Sequence, residues 1–217
     1  MKKWISILIV FSIISCDKKN DESVKNKAND SLKVEKVVSQ EKPQEVTLDE
    51  AIVDIIKAYQ QKDNVKINSY INKKYGITFL YARGAFNNIG TSEDFSFAKP
   101  VPDYLPYVVD FKTNYKITHS TLPEFDCGTE TWNNPEGIYV DTKKHDKTLS
   151  YVAKSEVEYI DKDAWSNAEI KKFEEIENKS HKVILIYENQ DAFIFYVAPI
   201  DGKYYLTAID RFEVCSA

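Results

Sequence analysis

The chain has 217 residues and a formal net charge of −5, from 29 basic and 34 acidic residues. This net negative charge argues against nucleic acid as a partner and against electrostatic binding to anionic lipid. Aromatic residues make up 13% of the chain, with fourteen tyrosines, a content typical of packed β-structure and not of a disordered protein.

The first sixteen residues combine two lysines with an apolar run and end in a cysteine. The run is too short to span a bilayer as a helix, and with the basic start it is typical of a secretory signal. Its end, Ile13-Ile14-Ser15-Cys16, resembles the lipobox of bacterial lipoproteins. The alternative is an ordinary signal peptide in which the cysteine falls by chance.

The lipobox resemblance implies a signal peptide over residues 1–15 and a lipidated Cys16. The thiol would receive a diacylglycerol and the new amino terminus an acyl chain such as palmitate, so that the lipid bilayer is a permanent partner. We therefore expect an extracytoplasmic, lipid-anchored location in the bacterial cell envelope, at the outer membrane.

Residues 16–46 are predicted to be a lipidated cysteine followed by a flexible tether. The segment after Cys16 contains no aromatic residue and cannot bury enough apolar surface to offset its ordering entropy. Its reach as a coil is roughly 30 Å. Residues 47–217 are predicted to form one globular domain, long enough to bury a core without a metal or a disulfide.

Two helices are predicted to open this domain. Thr47-Leu48-Asp49-Glu50 matches a capping box, and the residues that follow carry apolar side chains at i, i+3, i+4 and i+7. A shorter helix after Asp63 is expected to stop at Gly76, a residue suited to the left-handed conformation that follows a helix end. Residues 77–81 are predicted to be the first strand.

The middle of the chain gives weaker signals. Three prolines exclude regular structure over residues 95–107, which we predict to be an ordered, aromatic-rich loop. Short strands are predicted at residues 115–119, 138–140, 149–153 and 157–160. A second capping box at Ser166-Asn167-Ala168-Glu169 predicts a surface helix that runs to Ser180.

The end of the chain carries three β-rich runs, at residues 182–187, 192–198 and 204–214. A turn with Asp201-Gly202 separates the last two, which indicates hairpins and an antiparallel meander. The middle run is apolar on both faces and should be the central strand. The predicted class is α+β, with N-terminal helices packed on a curved antiparallel sheet that is closed by the C-terminal three-stranded meander.

This order of elements, with its helix, helix, Gly76 and strand opening, resembles the nuclear-transport-factor-2-like superfamily. The helix from Ser166 departs from the usual order. The resemblance implies a pocket between the sheet and the helices, which some members use as an active site and others as a binding site or not at all. Fold alone therefore predicts no chemistry.

The cysteines and the basic residues supply the first site candidates. Once Cys16 is assigned to lipid, Cys127 and Cys215 remain, and in an exported protein we expect them to form a disulfide; the alternative is two buried thiols. Among 29 basic residues only Arg83 and Arg211 are arginine, which suggests a geometric role. That role is either a structural ion pair or cation–π contact, or recognition of an anionic ligand.

Asp210 interrupts an apolar face, because strict alternation would place it with Leu206 and Ala208. A carboxylate on a core face is costly unless it is paired or protonated. Three explanations are open: a bulge near Ile209 turns it outward, it pairs with Arg83, or it lines a pocket as an acid or base.

Two further side chains complete the candidates. His119 closes a predicted strand and could line a pocket. Trp132, in a turn-rich loop after Cys127, is either an exposed partner contact or a lid over the core.

No strong catalytic spacing is present, and no cofactor or metal is expected. We therefore predict a module that binds a protein or a small-molecule ligand, with no catalysis evident from the sequence. The alternative is a pocket enzyme of isomerase or hydrolase type that uses Asp210 as general acid or base, with His119 or Arg83 beside it. A third possibility is an inhibitor or immunity-type protein that uses the loop at residues 127–132.

Overall fold

The computed structural model describes residues 46–84, 86–142, 147–211 and residue 215. The lipobox, Cys16 and almost all of the predicted tether lie outside these residues. The helices are α1 (Leu48–Gln60), α2 (Asn64–Ser69), α3 (Thr148–Tyr159) and α4 (Asn167–Glu177). The strands are β1 (Ile77–Arg83), β2 (Phe86–Ser92), β3 (Ile117–Ser120), β4 (Phe125–Asp126), β5 (Thr131–Trp132), β6 (Gly137–Asp141), β7 (His181–Ile186), β8 (Ala192–Ile200) and β9 (Lys203–Asp210).

The predicted capping box at the start of α1 is confirmed. The Thr47 hydroxyl accepts from the Glu50 amide, and the Glu50 carboxylate accepts from the Thr47 amide at 2.8 Å. α2 is shorter than predicted, because a series of turns replaces its last residues. Gly76 ends these turns at φ +68°, where an added Cβ would lie 2.4 Å from the Ser92 carbonyl oxygen, so glycine is required there.

Seven strands form one sheet in the order β2-β1-β9-β8-β7-β6-β3. The predicted α+β class is confirmed, and so is the antiparallel meander β7-β8-β9 with β8 at its centre. The sheet is mixed and not antiparallel throughout, since β1 pairs with β9 and β3 pairs with β6 in parallel. Parallel partners come from distant parts of the chain, so a search for consecutive hairpins does not find them.

Helices cover both faces of the sheet. α1 and α2 pack on one face over a cluster of aromatic rings, in which Tyr59 and Phe193 stack with centroids 4.0 Å apart. The side chains of this cluster lie between the sheet and these helices, where the superfamily resemblance predicts a pocket. α3 and α4 pack on the other face, beside the β4–β5 hairpin. The α4 residues Phe173 and Ile176 are buried there, so this helix adds to the core as well as to the surface.

The strands predicted at residues 149–153 and 157–160 are wrong, because α3 covers the first and runs to Tyr159 in the second. Its buried side chains Leu149, Val152, Ala153 and Glu156 follow helical spacing, i, i+3, i+4 and i+7. β-branched and aromatic residues in short runs suggested strands, and tertiary packing overrides that preference. Glu177 of α4 supports the start of α3, where its carboxylate accepts from the Ser150 amide at 3.0 Å.

Besides the two parallel pairs, two antiparallel strand pairs were not predicted. β2 is largely polar and pairs with β1 across a turn at Gly84, which has φ +68°. β4 and β5 contribute two residues each and form a separate small sheet. Alternation over so few residues carries little signal.

Candidate functional site

A bulge in β9 explains the position of Asp210. Tyr196 pairs with Ala208 and Val197 pairs with Leu206, so Thr207 is the extra residue between them. Leu206 therefore packs on the α1 face, whereas Ala208 packs on the face covered by α3 and α4. The predicted continuous apolar face of β9 does not exist, because the alternation changes at Thr207.

Asp210 approaches a lysine and not the predicted arginine. Its Oδ2 lies 4.0 Å from Lys182 Nζ, and the two side chains are only 15% and 20% exposed. Asp210 pairs in register with Leu80, and Arg83 lies three residues further along β1, where it is exposed. Of the three explanations for Asp210, the bulge agrees best with the structure. The bulge lies at Thr207, however, and not near Ile209 as predicted.

The three residues of the alternative enzyme site do not converge. His119 Nε2 lies 2.8 Å from Asp49 Oδ1 at the surface, on edge strand β3. β3 is four strand positions from β9, which corresponds to about 19 Å. Asp210 borders a hollow of 130 Å³ beside Arg211, with room for about four water molecules, and neither His119 nor Arg83 lines it.

Arg211 is buried and binds the proline-rich loop. Its guanidinium donates to the carbonyl oxygens of Val101, Leu105 and Pro106 at 2.8, 2.5 and 2.9 Å. It also lies 4.2 Å from the centre of the Tyr107 ring. The planar guanidinium group of arginine can donate to several fixed carbonyl oxygens at once, and the single ammonium group of lysine cannot reproduce this geometry. The cation–π alternative for Arg211 is therefore confirmed, with backbone carbonyls as additional acceptors that the sequence did not reveal.

The predicted disulfide is present between Cys127 and Cys215, whose Cα atoms are 5.6 Å apart. Trp132, close to Cys127, is 8% exposed and packs over the sheet with Tyr139 and Ile194. Its indole nitrogen donates to the Gln190 carbonyl at 2.9 Å. Of the two alternatives for Trp132, the lid over the core agrees with this burial, and the exposed partner contact does not, because the small β4–β5 hairpin folds onto the sheet.

An exposed apolar surface lies at the β2 edge of the sheet. Among the described residues, eight large apolar side chains are exposed, and four of them gather here. We call this surface the aromatic patch; its members are Phe86, Tyr151, Tyr159 and Ile160, which are between 53% and 70% exposed. They surround a hollow of 220 Å³. A contiguous apolar surface of this kind usually marks an interaction site.

The aromatic patch is built from two elements on a rigid base. Tyr151 and Tyr159 are eight residues apart on α3, so they stand about 12 Å apart along one side of the helix. Phe86 faces them from the start of β2. Beneath them, the buried Glu156 accepts from the Ile89 amide of β2 at 2.9 Å and from the Trp165 indole nitrogen. This carboxylate holds α3 against the edge of the sheet.

The patch lies far from the point where the domain begins. The described chain starts at Val46, and Asp49 in the first turn of α1 contacts His119 on β3. β3 and β2 are the opposite edges of the seven-stranded sheet. Six strand spacings separate these edges, about 29 Å. The start of the described chain therefore lies near the β3 edge, and the aromatic patch lies at the opposite edge.

The described residues contain no group of three or more side chains suited to hold a metal ion. Within the same residues, no helix has the length and apolar character needed to cross a membrane. Comparisons with protein-family models, with curated proteins and with solved structures gave no match. The resemblance to the nuclear-transport-factor-2-like superfamily therefore stays a prediction from the order of elements.

Proposed function

We propose that this protein is a lipid-anchored extracytoplasmic lipoprotein that acts as a protein-interaction module through the aromatic patch. One observation carries the proposal: four large apolar side chains from two elements meet on the surface around one hollow. Isolated exposed apolar residues are common in folded proteins, but a cluster on a rigid base is not. Tyrosine is also enriched among the residues that dominate binding energy at protein interfaces.

The position of the patch favours a protein partner over the anchoring bilayer. Val46, where the predicted tether would join the domain, lies near the β3 edge, so the β2 edge would be the one farther from the attachment point. The tether predicted from the sequence over residues 16–46 would give the domain a reach of roughly 30 Å. The module would thus present the aromatic patch to another envelope protein, while its lipid keeps the module at the surface of the membrane.

The anchor is tested by the variant Cys16→Ser. Loss of the lipidated thiol should move the protein from the membrane fraction of the native cells to the soluble extracytoplasmic fraction. Incorporation of labelled palmitate should be lost at the same time. An unchanged membrane fraction in the variant would contradict the lipoprotein part of the proposal.

The interaction surface is tested by site-specific photocrosslinking in intact cells. A photoreactive amino acid replaces Tyr151 in one variant and Val65 in another, since Val65 is an exposed apolar residue on α2 outside the patch. We expect a discrete crosslinked protein from position 151 that is absent from position 65. Phe86→Ser together with Tyr159→Ser should weaken that crosslink at least tenfold. Equal crosslinking from the two positions would rule out the patch as the contact surface.

A further inference from the structure

A second concave surface, unrelated to the aromatic patch, lies between α4 and the start of β1. It is a groove of 260 Å³, bounded by the turn at residues 73–76, by one side of α4, by the start of β1 and by the end of β2. This volume is slightly below the usual range for small-molecule sites, so the groove suits a compact ligand.

Three lysines surround the groove: Lys73, Lys74 and Lys172. Lys74 and Lys172 come from different elements and reach the same Tyr75 ring, at 4.7 and 5.9 Å from its centre. None of the three is within 4.0 Å of a carboxylate of the described residues, whereas Lys66, Lys112 and Lys154 elsewhere on the surface form close ion pairs.

Two glutamates, Glu93 and Glu169, also line the groove. The Glu169 carboxylate is already engaged, because it accepts from the amide and the hydroxyl of Ser166 at 2.8 and 2.7 Å. Its negative charge remains, because both donors are neutral. The lining therefore carries three lysines against two glutamates, a net charge of +1. The rim favours an anionic ligand.

The interior of the groove is both hydroxylated and aromatic. Thr78, Thr91 and Ser92 supply hydroxyl groups from β1 and β2. Trp165 and Phe173 form an apolar wall, with their rings nearly perpendicular and 5.2 Å apart. Hydroxyls that both donate and accept suit a ligand with several hydroxyl groups, and an aromatic wall suits the apolar face of a ring.

We propose that this groove binds a hexose-sized sugar that carries an acidic group. The lysines hold the acidic group, the threonine and serine hydroxyls bond to the sugar hydroxyls, and the Trp165 wall packs against the ring. The acidic group is either a carboxylate, as in a sugar acid, or a phosphate, as in a sugar phosphate. A lysine ammonium group can donate hydrogen bonds to either of them.

The test is a calorimetric titration of the full-length protein with four probes: glucuronate, glucose 6-phosphate, glucose and acetate. We expect one or both of the acidic sugars to bind with a dissociation constant of about 1 mM or below. Glucose lacks the charge and acetate lacks the ring, so each should bind at least tenfold more weakly. Comparison of glucuronate with glucose 6-phosphate identifies the acidic group.

The variant that combines Lys74→Gln and Lys172→Gln should lower the affinity for the acidic sugar at least tenfold. Lys171→Gln is the matched control, because Lys171 is exposed on the same helix and does not line the groove, and it should leave the affinity within about twofold. The Tyr151→Ser variant should also bind the sugar normally, which separates this site from the aromatic patch. The proposal is overturned if neither acidic sugar binds at roughly 10 mM, if glucose binds as well as they do, or if the double variant binds unchanged.

Discussion

The two arginines of the chain, Arg83 and Arg211, lie in different environments. Arg211 is buried, and its guanidinium connects the last part of β9 to the proline-rich loop through three carbonyl oxygens. Arg83 is exposed at the end of β1. Arg211 thus has a structural role in the core, whereas Arg83 lies on the surface.

We predict that Arg211→Lys lowers the free energy of unfolding by about 2–3 kcal/mol, because one ammonium group cannot replace a fork of donors to buried carbonyls. Urea denaturation followed by fluorescence measures the change. Arg83→Lys is the matched control and should stay within about 0.5 kcal/mol of the wild type. Equal effects of the two substitutions would contradict the role given to Arg211.

At the scale of elements, one carboxylate connects α1 to the α2 region. Asp54 Oδ2 accepts from Lys66 Nζ and from the Tyr70 hydroxyl, each at 2.9 Å. The hydrogen bond with Lys66, and then that with Tyr70, lowers the pKa of Asp54 below its ordinary value of 3.8. The ionised form of Asp54 therefore stabilises the folded protein.

We predict that the contribution of Asp54 is complete above its unfolded pKa and is lost as the pH falls through its lower folded pKa. The stability difference between wild type and Asp54→Asn should therefore shrink between about pH 5 and about pH 2. The pair is partly exposed, so the difference should be below about 1 kcal/mol. An NMR titration of the Asp54 carboxyl gives the pKa directly, and a value at or above 3.8 would contradict this prediction.

α3 illustrates the limit of local patterns. In the sequence, Leu149 to Ala153 and Val157 to Ile160 are short apolar stretches, and each satisfies a strand preference. The helix depends instead on distant partners, since Glu177 supports its first turn and Glu156 bonds to the amide of Ile89. Because the aromatic patch is carried by α3, an error in this element also concealed the main surface feature of the protein.

At the scale of the whole molecule, the disulfide closes a long loop between the β4–β5 hairpin and the end of the chain. Cys127 and Cys215 are 88 residues apart. Such a cross-link mainly restricts the unfolded chain, and for this loop length the chain-entropy model gives about 4–5 kcal/mol.

We predict that Cys127→Ser combined with Cys215→Ser lowers the free energy of unfolding by about 4 kcal/mol. Urea denaturation with and without a thiol reductant measures this change. The reductant should destabilise the wild type by a similar amount and leave the double variant unaffected. Equal urea midpoints for wild type and double variant would show that the bridge adds no stability.

Sequence reasoning recovered the parts of the fold that depend on neighbouring residues. The Thr47 and Ser166 capping boxes and the apolar β8 strand were found in this way. The pairing of β1 with β9 and the Thr207 bulge were not, because both depend on residues that are far apart in the chain. The aromatic patch was missed for the same reason, since Phe86 and Tyr159 meet only after β2 and α3 have packed together.

The parallel pairing of β1 with β9 has a consequence for the order of folding. β9 inserts between β1 and β8, so the β1–β2 hairpin joins the rest of the sheet only when the last strand is available. Contacts between such distant segments slow folding, because the chain must close a long loop before they form. A nascent chain that lacks β9 therefore cannot complete the sheet. In the exported lipoprotein that we propose, this delay would keep the polypeptide unfolded enough to be threaded through a translocation channel until β9 has been made.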